Sequence, residues 1–151
     1  MPRVAIVIRT RDEERWIGRC LKIVYRQDIA DFEVVVVDNG STDHTLEIAR
    51  KYPVRIMSVD EFRPGHALNV GIRSSDSEFI ACLSAHCIPR DEQWLGALVR
   101  NMQSPRIAGV YGRQLPFSYS SDLDKRDLLI TFGLDRRDQT IRAIADSCHA
   151  S

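Results

Sequence analysis

The sequence has 151 residues, of which 44% are hydrophobic and 28% are charged. A chain of this length and composition fits one globular domain with a buried core. Its 21 basic residues balance its 21 acidic residues, so no net charge draws it to nucleic acid or to an anionic membrane surface. We therefore expect recognition at a local site and no nucleic-acid partner.

The cysteines and the apolar runs bear on the cellular compartment. Cys20, Cys82, Cys87 and Cys148 form no CxxC pair, and Cys82 lies in an apolar run that predicts a buried strand. Free thiols are typical of reducing compartments, so a cytoplasmic protein is the simplest interpretation. No apolar run approaches the ~20 residues that cross a bilayer, which predicts no transmembrane segment and leaves a peripheral position at a membrane open.

Strand and helix patterns alternate from the start of the chain. Residues 4–8 form a continuous β-rich run, which predicts a strand covered on both faces. From Asp12, apolar residues recur at helical spacing, and acids occupy the first turn, where the helix dipole favours negative charge. The next predicted elements are a strand at 32–37, a helix at 43–52 that ends before Pro53, and a strand at 54–59.

The alternation continues to residue 112. A helix from Gly65 precedes a strand at 78–83, and a helix from Asp91 precedes a strand at 107–111. Strands that alternate with helices predict a three-layer α/β/α fold with a mostly parallel, Rossmann-like sheet. Beyond Gly112 the pattern changes to a Ser/Tyr-rich turn, a helix at about 122–132, and a tail at 138–151 with no clear closing element.

Polar residues follow four of the predicted strands. In an open α/β sheet the ligand crevice lies beyond the carboxyl ends of the strands. The four segments together offer carboxylates, hydroxyls, an imidazole and a guanidinium, a set that suits a nucleotide. Each loop alone has a plainer interpretation, since Asp12 and Ser41 could serve only as helix caps. The segments are Thr10-Arg11-Asp12, Asp38-Asn39-Gly40-Ser41, Ser84-Ala85-His86 and Gly112-Arg113-Gln114.

In their order along the chain, these loops resemble the family 2 glycosyltransferases. In that family the first strand leads into Thr-x-Asn/Asp-Glu and the second into Val-Val-Asp-Asp/Asn-Gly-Ser-Thr-Asp, as at residues 10–13 and 37–43 here. Residues 65–72, GHALNVGI, are similar to the family's Asn-Val-Gly-Ile helix. Residues 112–116, GRQLP, are similar to the Gly-Arg-Gln-Leu-Pro segment of family members that resemble rhamnosyltransferases and other surface-polysaccharide enzymes. The likeness covers most of residues 3–133 and implies a GT-A type of fold.

The resemblance implies a site for a nucleotide sugar. Thr10, Arg11 and Asp12 would lie against the nucleoside, while Asp38 would accept a hydrogen bond from the base. Relatives often carry an arginine where this chain has Leu68, and either His66 or Arg63 could replace it at the phosphates. The implied nucleotide-binding set is completed by Asn39, His66, Asn69 and Ser84, with Arg113 and Gln114 on the acceptor side.

The main departure from the family lies after the fourth strand. There the family places Asp-x-Asp, which holds a divalent ion against the diphosphate, whereas this chain has Ser84-Ala85-His86. One imidazole and one hydroxyl form a poor site for Mg²⁺, which prefers oxygen ligands, whereas Mn²⁺ or Zn²⁺ would tolerate His86 better as a metal ligand. The loss of both carboxylates therefore puts a Mn²⁺ or Mg²⁺ cofactor in doubt. A protonated His86 could instead neutralise the diphosphate directly, or it could be an ordinary loop histidine.

The resemblance implies an inverting glycosyltransferase that moves a sugar from a nucleotide-diphosphate donor to a hydroxyl of a polysaccharide or a lipid-linked glycan. The family's general base is a carboxylate, often in a Glu-Asp pair. No such pair follows residue 112, so no catalytic residue is assigned. A catalytically silent, truncated nucleotide-sugar-binding module is the alternative. The glycine-free first loop argues against nucleotidyltransferases, and the missing GxGxxG argues against dinucleotide oxidoreductases.

The implied organisation is one domain over residues 1–151. Residues 1–112 would form the nucleotide-sugar-binding α/β core, and residues 113–151 would begin an acceptor-side region that is incomplete. A core of this kind leaves a sheet edge open, and a homodimer is one way to cover it.

Overall fold

The computed structural model describes residues 3–60, 63–102, 104–135 and 137–139. The chain divides into two compact units, Met1–Gly109 and Val110–Ser151. Cys148 and most of the predicted tail lie outside the described residues. In the part of the chain that is described, no helix is both long enough and apolar enough to span a membrane.

The first unit contains a four-stranded parallel sheet in the order β3-β2-β1-β4. Helices follow each strand, and this alternation confirms the α/β fold that the sequence predicts. The strands are β1 (Val4–Thr10), β2 (Phe32–Asp38), β3 (Arg55–Ser58) and β4 (Phe79–Ser84); the helices are α1 (Ile17–Val24), α2 (Thr45–Ala49), α3 (Pro64–Arg73) and α4 (Trp94–Asn101).

The two faces of the sheet carry separate apolar clusters, because side chains alternate along each strand. Ile6 and Val36 face a cluster with residues of α1, α2 and α4. Val7 and Val35 face the opposite side, where Ala67 of α3 packs. The predicted three-layer arrangement is therefore present, and burial on both faces explains why β1 and β2 are almost continuous runs of Val and Ile.

Helix α3 approaches the sheet closely because residue 71 is glycine. A Cβ at Gly71 would lie 2.3 Å from Val7 Cγ1 and 2.9 Å from Val37 Cγ2. Both valines are fully buried, so neither has room to move aside. The glycine of the Asn-Val-Gly-Ile segment thus has a packing role.

The second unit contains one helix, α5 (Asp122–Phe132), among its described residues. The prediction of a helix at 122–132 is confirmed. The predicted fifth strand is wrong, because residues 107–111 adopt no strand and Tyr111 is 64% exposed. A β-rich run becomes a strand only when its backbone groups pair with a neighbour, and single-sequence patterns do not reveal the neighbour.

Three helices begin later than predicted, and an aspartate occupies the predicted start of each. Helix α1 begins at Ile17 instead of Asp12, which has a left-handed φ of 50°. Asp43 Oδ1 accepts a hydrogen bond from Thr45 N at 2.9 Å, and Asp91 Oδ1 accepts one from Gln93 N at 3.1 Å. Such side-chain bonds to the backbone two residues ahead compete with the first helical turn.

The prediction that Cys82 is buried is wrong, since this side chain is exposed. Cys82 is the register partner of Val7, so it lies on the face where α3 packs. Helix α3 contacts β1 and β2. In the described part of the first unit, no helix therefore covers Cys82 on this face of the edge strand β4, although the strand has an apolar sequence.

Candidate functional site

The strand order places a crevice beside the end of β1. The chain runs from β1 outward to β2 and β3, then returns to place β4 on the other side of β1. Loops that leave neighbouring strands in opposite directions separate at such a switch point, and ligands of open α/β folds bind there. Thr10 pairs with Asp38, and Arg9 pairs with Ser84, so three strands end at one level.

A cavity of about 120 Å³ opens at this switch point, and we call it the crevice site. Small-molecule sites typically enclose roughly 300–1,000 Å³, so this cavity fits a fragment such as a diphosphate or a base. Five of the residues predicted from the sequence line it: Thr10, Arg11, Asn39, Ser84 and His86. Arg9 and Glu13 complete the lining.

Arg9 and Glu13 are the two lining residues that were absent from the predicted site. Arg9 belongs to β1, which extends to Thr10 instead of ending at residue 8. Glu13 was assigned to the first turn of a helix that begins only at Ile17. Extending β1 to Thr10 identifies Arg9, because the register Arg9↔Ser84 brings the β1 end beside the β4 loop, whereas Glu13 follows from the later start of α1.

The loop after β1 is hydrogen bonded to the loop after β2. Asp12 N donates to Ser41 Oγ at 3.0 Å, and Thr42 N donates to Asp12 Oδ1 at 2.7 Å. Glu13 N donates to Thr45 Oγ1 at 2.7 Å. Asp12 does not line the crevice site, and its bonds show how its carboxylate instead joins the two loops.

Asp38 orders the loop after β2. Its Oδ2 accepts hydrogen bonds from Gly40 N at 3.1 Å and Ser41 N at 3.0 Å, and Ser41 Oγ donates to its Oδ1. The residue is 2% exposed and does not line the crevice site. Gly40 has φ 75°, a left-handed conformation that suits glycine in this turn. A hydrogen bond from a base to Asp38 stays a prediction.

The hydroxyl of Thr10 lacks a protein partner. The residue is 4% exposed, and its Oγ1 is the buried side-chain oxygen or nitrogen without a hydrogen bond in the described part of the chain. An unpaired buried hydroxyl costs about 1–3 kcal/mol. Since Thr10 also lines the crevice site, a bound ligand could supply the partner that the protein does not.

His86 and Glu13 form a pair at the rim of the crevice site. His86 Nδ1 lies 2.6 Å from Glu13 Oε1, and the two side chains are 51% and 19% exposed. Hydrogen bonds to Cys87 and to Glu13 raise the pKa of His86 to about 9, although burial opposes the charged form. The imidazole is therefore charged at neutral pH.

The crevice site is a poor fit for a divalent ion. In the described residues no three His, Cys, Asp or Glu side chains are arranged to hold a metal. Glu13 supplies the one carboxylate in the lining, and it is engaged by His86. The nearby carboxylates of Asp12 and Asp38 already accept hydrogen bonds from the loops. Mg²⁺ is usually bound through one or two carboxylates together with substrate phosphates, and the one carboxylate of this lining is paired with His86.

The remaining predicted residues lie elsewhere. His66 and Asn69 are exposed on α3 and do not line the crevice site. Arg113 and Gln114 belong to the second unit, where they line an apolar groove with Leu115, Leu129 and Leu134. Their predicted roles at the phosphates and at the acceptor stay predictions.

Comparison with known proteins places this architecture in a family. Glycosyltransferase AglE of Haloferax volcanii is 33% identical over 127 residues, which cover 79% of this chain and 41% of AglE. O-antigen chain rhamnosyltransferase RfbN of Salmonella typhimurium is 27% identical, with 80% and 40% coverage. The chain thus spans about two fifths of the length of these relatives.

A solved structure shares the fold. Mannosyltransferase PcManGT from Pyrobaculum calidifontis, in complex with GDP-Man and Mn²⁺, aligns with a TM-score of 0.64 and 28% identity, covering 70% of this chain and 34% of that chain. The sheet and its helices are therefore of the GT-A type. The sequence profile of Glycosyl transferase family 2 matches residues 5–150. On this evidence the chain belongs to glycosyl transferase family 2.

Proposed function

We propose that this chain is the donor-binding part of an inverting glycosyltransferase that transfers a sugar from a nucleotide diphosphate to a hydroxyl of a polysaccharide or glycolipid. The observation that carries the proposal is the crevice site at the switch point between β1 and β4, where Thr10 offers a buried hydroxyl without a partner. PcManGT, which shares the fold, was solved with GDP-Man, a donor of this class.

The chemistry assigns distinct tasks to the two sides of the reaction. The acceptor oxygen attacks the anomeric carbon, the bond from that carbon to the diphosphate breaks, and a general base takes the hydroxyl proton. Charge develops on the leaving diphosphate, so cations aimed at it lower the barrier. Arg9, Arg11 and His86 line the crevice site and suit this second task. We assign no residue to the general base.

The nucleoside would occupy the side of the crevice site formed by the ends of β1 and β2. Thr10 and Asn39 lie there, and Asn39 N donates to Thr10 O at 2.9 Å. Asp38 holds the loop that carries Asn39 and Ser41. Loss of Asp38 would therefore disorder this side of the site even without a direct contact to the base.

A threonine-to-valine exchange tests the proposal. Thr10→Val keeps the shape of the side chain and removes the unpaired hydroxyl, so the free energy of unfolding should stay equal or rise. Binding of a nucleoside diphosphate sugar should weaken by about 2- to 10-fold, the value of one hydrogen bond. Isothermal titration calorimetry with UDP- and GDP-sugars measures the affinity. Unchanged affinity for every donor that binds, or no donor bound by the wild-type chain, would contradict the proposal.

The alternative of a catalytically silent binding module has one observation in its favour, the replacement of the Asp-x-Asp carboxylates by Ser84-Ala85-His86. Both candidates bind the donor, and they differ in turnover. Slow hydrolysis of the bound nucleotide sugar, followed by release of free sugar, would exclude the silent module. We further propose a cytoplasmic location at the site of polysaccharide or lipid-linked glycan synthesis, with a glycan or lipid-linked acceptor.

A further inference from the structure

We propose that the crevice site binds the diphosphate of its donor through the side chains of His86, Arg9 and Arg11, without a divalent ion. The inference rests on the proposed function, because it concerns how that donor is held. It departs from the solved relative PcManGT, whose complex contains Mn²⁺ beside GDP-Man.

The side chains that line the cavity carry more positive than negative charge. Two guanidinium groups and one imidazole line it, against the single carboxylate of Glu13. That carboxylate is 2.6 Å from His86 Nδ1, so it is neutralised within the lining. Arg11 Nε also lies 3.9 Å from Asp12 Oδ2, so three cationic side chains stand against two carboxylates, one in the lining and one beside it. This positive excess complements a diphosphate, whose negative charge a metal ion would otherwise neutralise.

The carboxylates of these loops accept hydrogen bonds from the backbone of the loops themselves. Glu14 Oε2 accepts from His44 N at 3.0 Å, and Asp43 Oδ2 accepts from Glu14 N at 3.0 Å. Asp12 and Asp38 likewise accept backbone N–H groups. Acids next to the site thus already hold the loops, and a cation would compete with those hydrogen bonds for the carboxylate oxygens.

The backbone holds residue 86 beside the end of β1. The backbone after β4 is tied to β1 by Ala85 N, which donates to Arg9 O at 3.1 Å. This bond places His86 beside the end of β1, and Glu13 then orients the ring. A carboxylate at this position would face Glu13 and create a pair of acids. An imidazolium at the same place makes an ion pair and adds positive charge to the lining.

The test is calorimetric titration of the whole chain with uridine, UMP and UDP, and with guanosine, GMP and GDP, in EDTA and in Mn²⁺. We expect the diphosphate to bind more tightly than its nucleoside, with equal affinity in both buffers. His86→Asn should weaken diphosphate binding by about tenfold, the value of a hydrogen bond to a charged group, and leave nucleoside binding unchanged. His86→Asp should make diphosphate binding depend on Mn²⁺.

The chain offers a matched control in His44→Asn. His44 Nδ1 lies 2.8 Å from Glu14 Oε2, a pair of the same kind, and His44 does not line the crevice site. This exchange should leave every affinity unchanged. The inference would be overturned if the wild type required Mn²⁺ to bind a diphosphate, or if His86→Asn left the diphosphate affinity unchanged. In either case, nucleoside binding would still support the proposed function. If no nucleotide binds, both proposals fail.

Discussion

The two units of the chain are stabilised in different ways. In Met1–Gly109, helices α1 to α4 begin without a side-chain hydrogen bond at their N-caps, yet each buries residues against the sheet or its neighbours. In Val110–Ser151, helix α5 buries no residue. Ser121 Oγ accepts from Asp124 N at 3.1 Å at its start, and Gly133, with φ 62°, ends it.

The exposed apolar side chains follow the same division. Every large hydrophobic residue that is exposed in the described chain lies after Gly109: Tyr111, Leu115, Tyr119, Leu123, Leu129, Ile130 and Leu134. The fully buried large side chains all lie before it. Tertiary burial therefore specifies the first unit, whereas local capping specifies α5. Helices of similar length in one chain can thus form for different physical reasons.

The largest expected difference between the units is the cost of removing a leucine. Leu95 is 0% exposed, so Leu95→Ala should lower the free energy of unfolding by about 2–5 kcal/mol. Leu123 in α5 is 58% exposed, and Leu123→Ala should change it by at most about 0.5 kcal/mol. Urea unfolding of the two variants and the wild type measures both values. Equal losses of unfolding free energy in the two variants would contradict the difference between the units.

A smaller effect is expected where α3 packs on the sheet. Gly71→Ala should cost about 1–3 kcal/mol, because the new methyl group would overlap the buried Val7 and Val37. Gly65→Ala is the matched control in the same helix, since nothing lies within 4 Å of its Cβ position. Alanine there should be neutral or stabilising by up to about 1 kcal/mol. Thermal unfolding separates the two outcomes, and a Gly71→Ala protein as stable as the wild type would refute the close packing.

The smallest effect is expected at the cap of α5. Ser121→Ala removes the hydrogen bond to Asp124 N and should cost α5 about 1 kcal/mol of local stability. Amide hydrogen exchange should quicken within Asp122–Phe132 and stay unchanged in the sheet. Ser120→Ala, one residue before the cap, serves as the control. If sheet amides also exchange faster in Ser121→Ala, α5 contributes to the first unit and the division is wrong.

Much of the candidate site could be predicted because it follows strand ends. Thr10, Asn39 and Ser84 come directly at the ends of apolar runs, and the carboxyl ends of parallel strands meet at one edge. The crevice site therefore contains them. Arg9 and Glu13 escaped prediction because they depend on where β1 ends and α1 begins, which is set by hydrogen bonds to other loops.

The alternation of strands and helices, the α/β class and helix α5 could be predicted from the sequence, since apolar periodicity and capping residues act over a few neighbouring positions. The folded structure determines that residues 107–111 form no strand, that Cys82 is exposed, and that Asp12 and Asp38 hold loops. It also decided that His86 meets Glu13. The bonds of Asp38 to Gly40 and Ser41 are local, but the other outcomes depend on which distant segments pair or pack at these positions, and a linear pattern does not specify that.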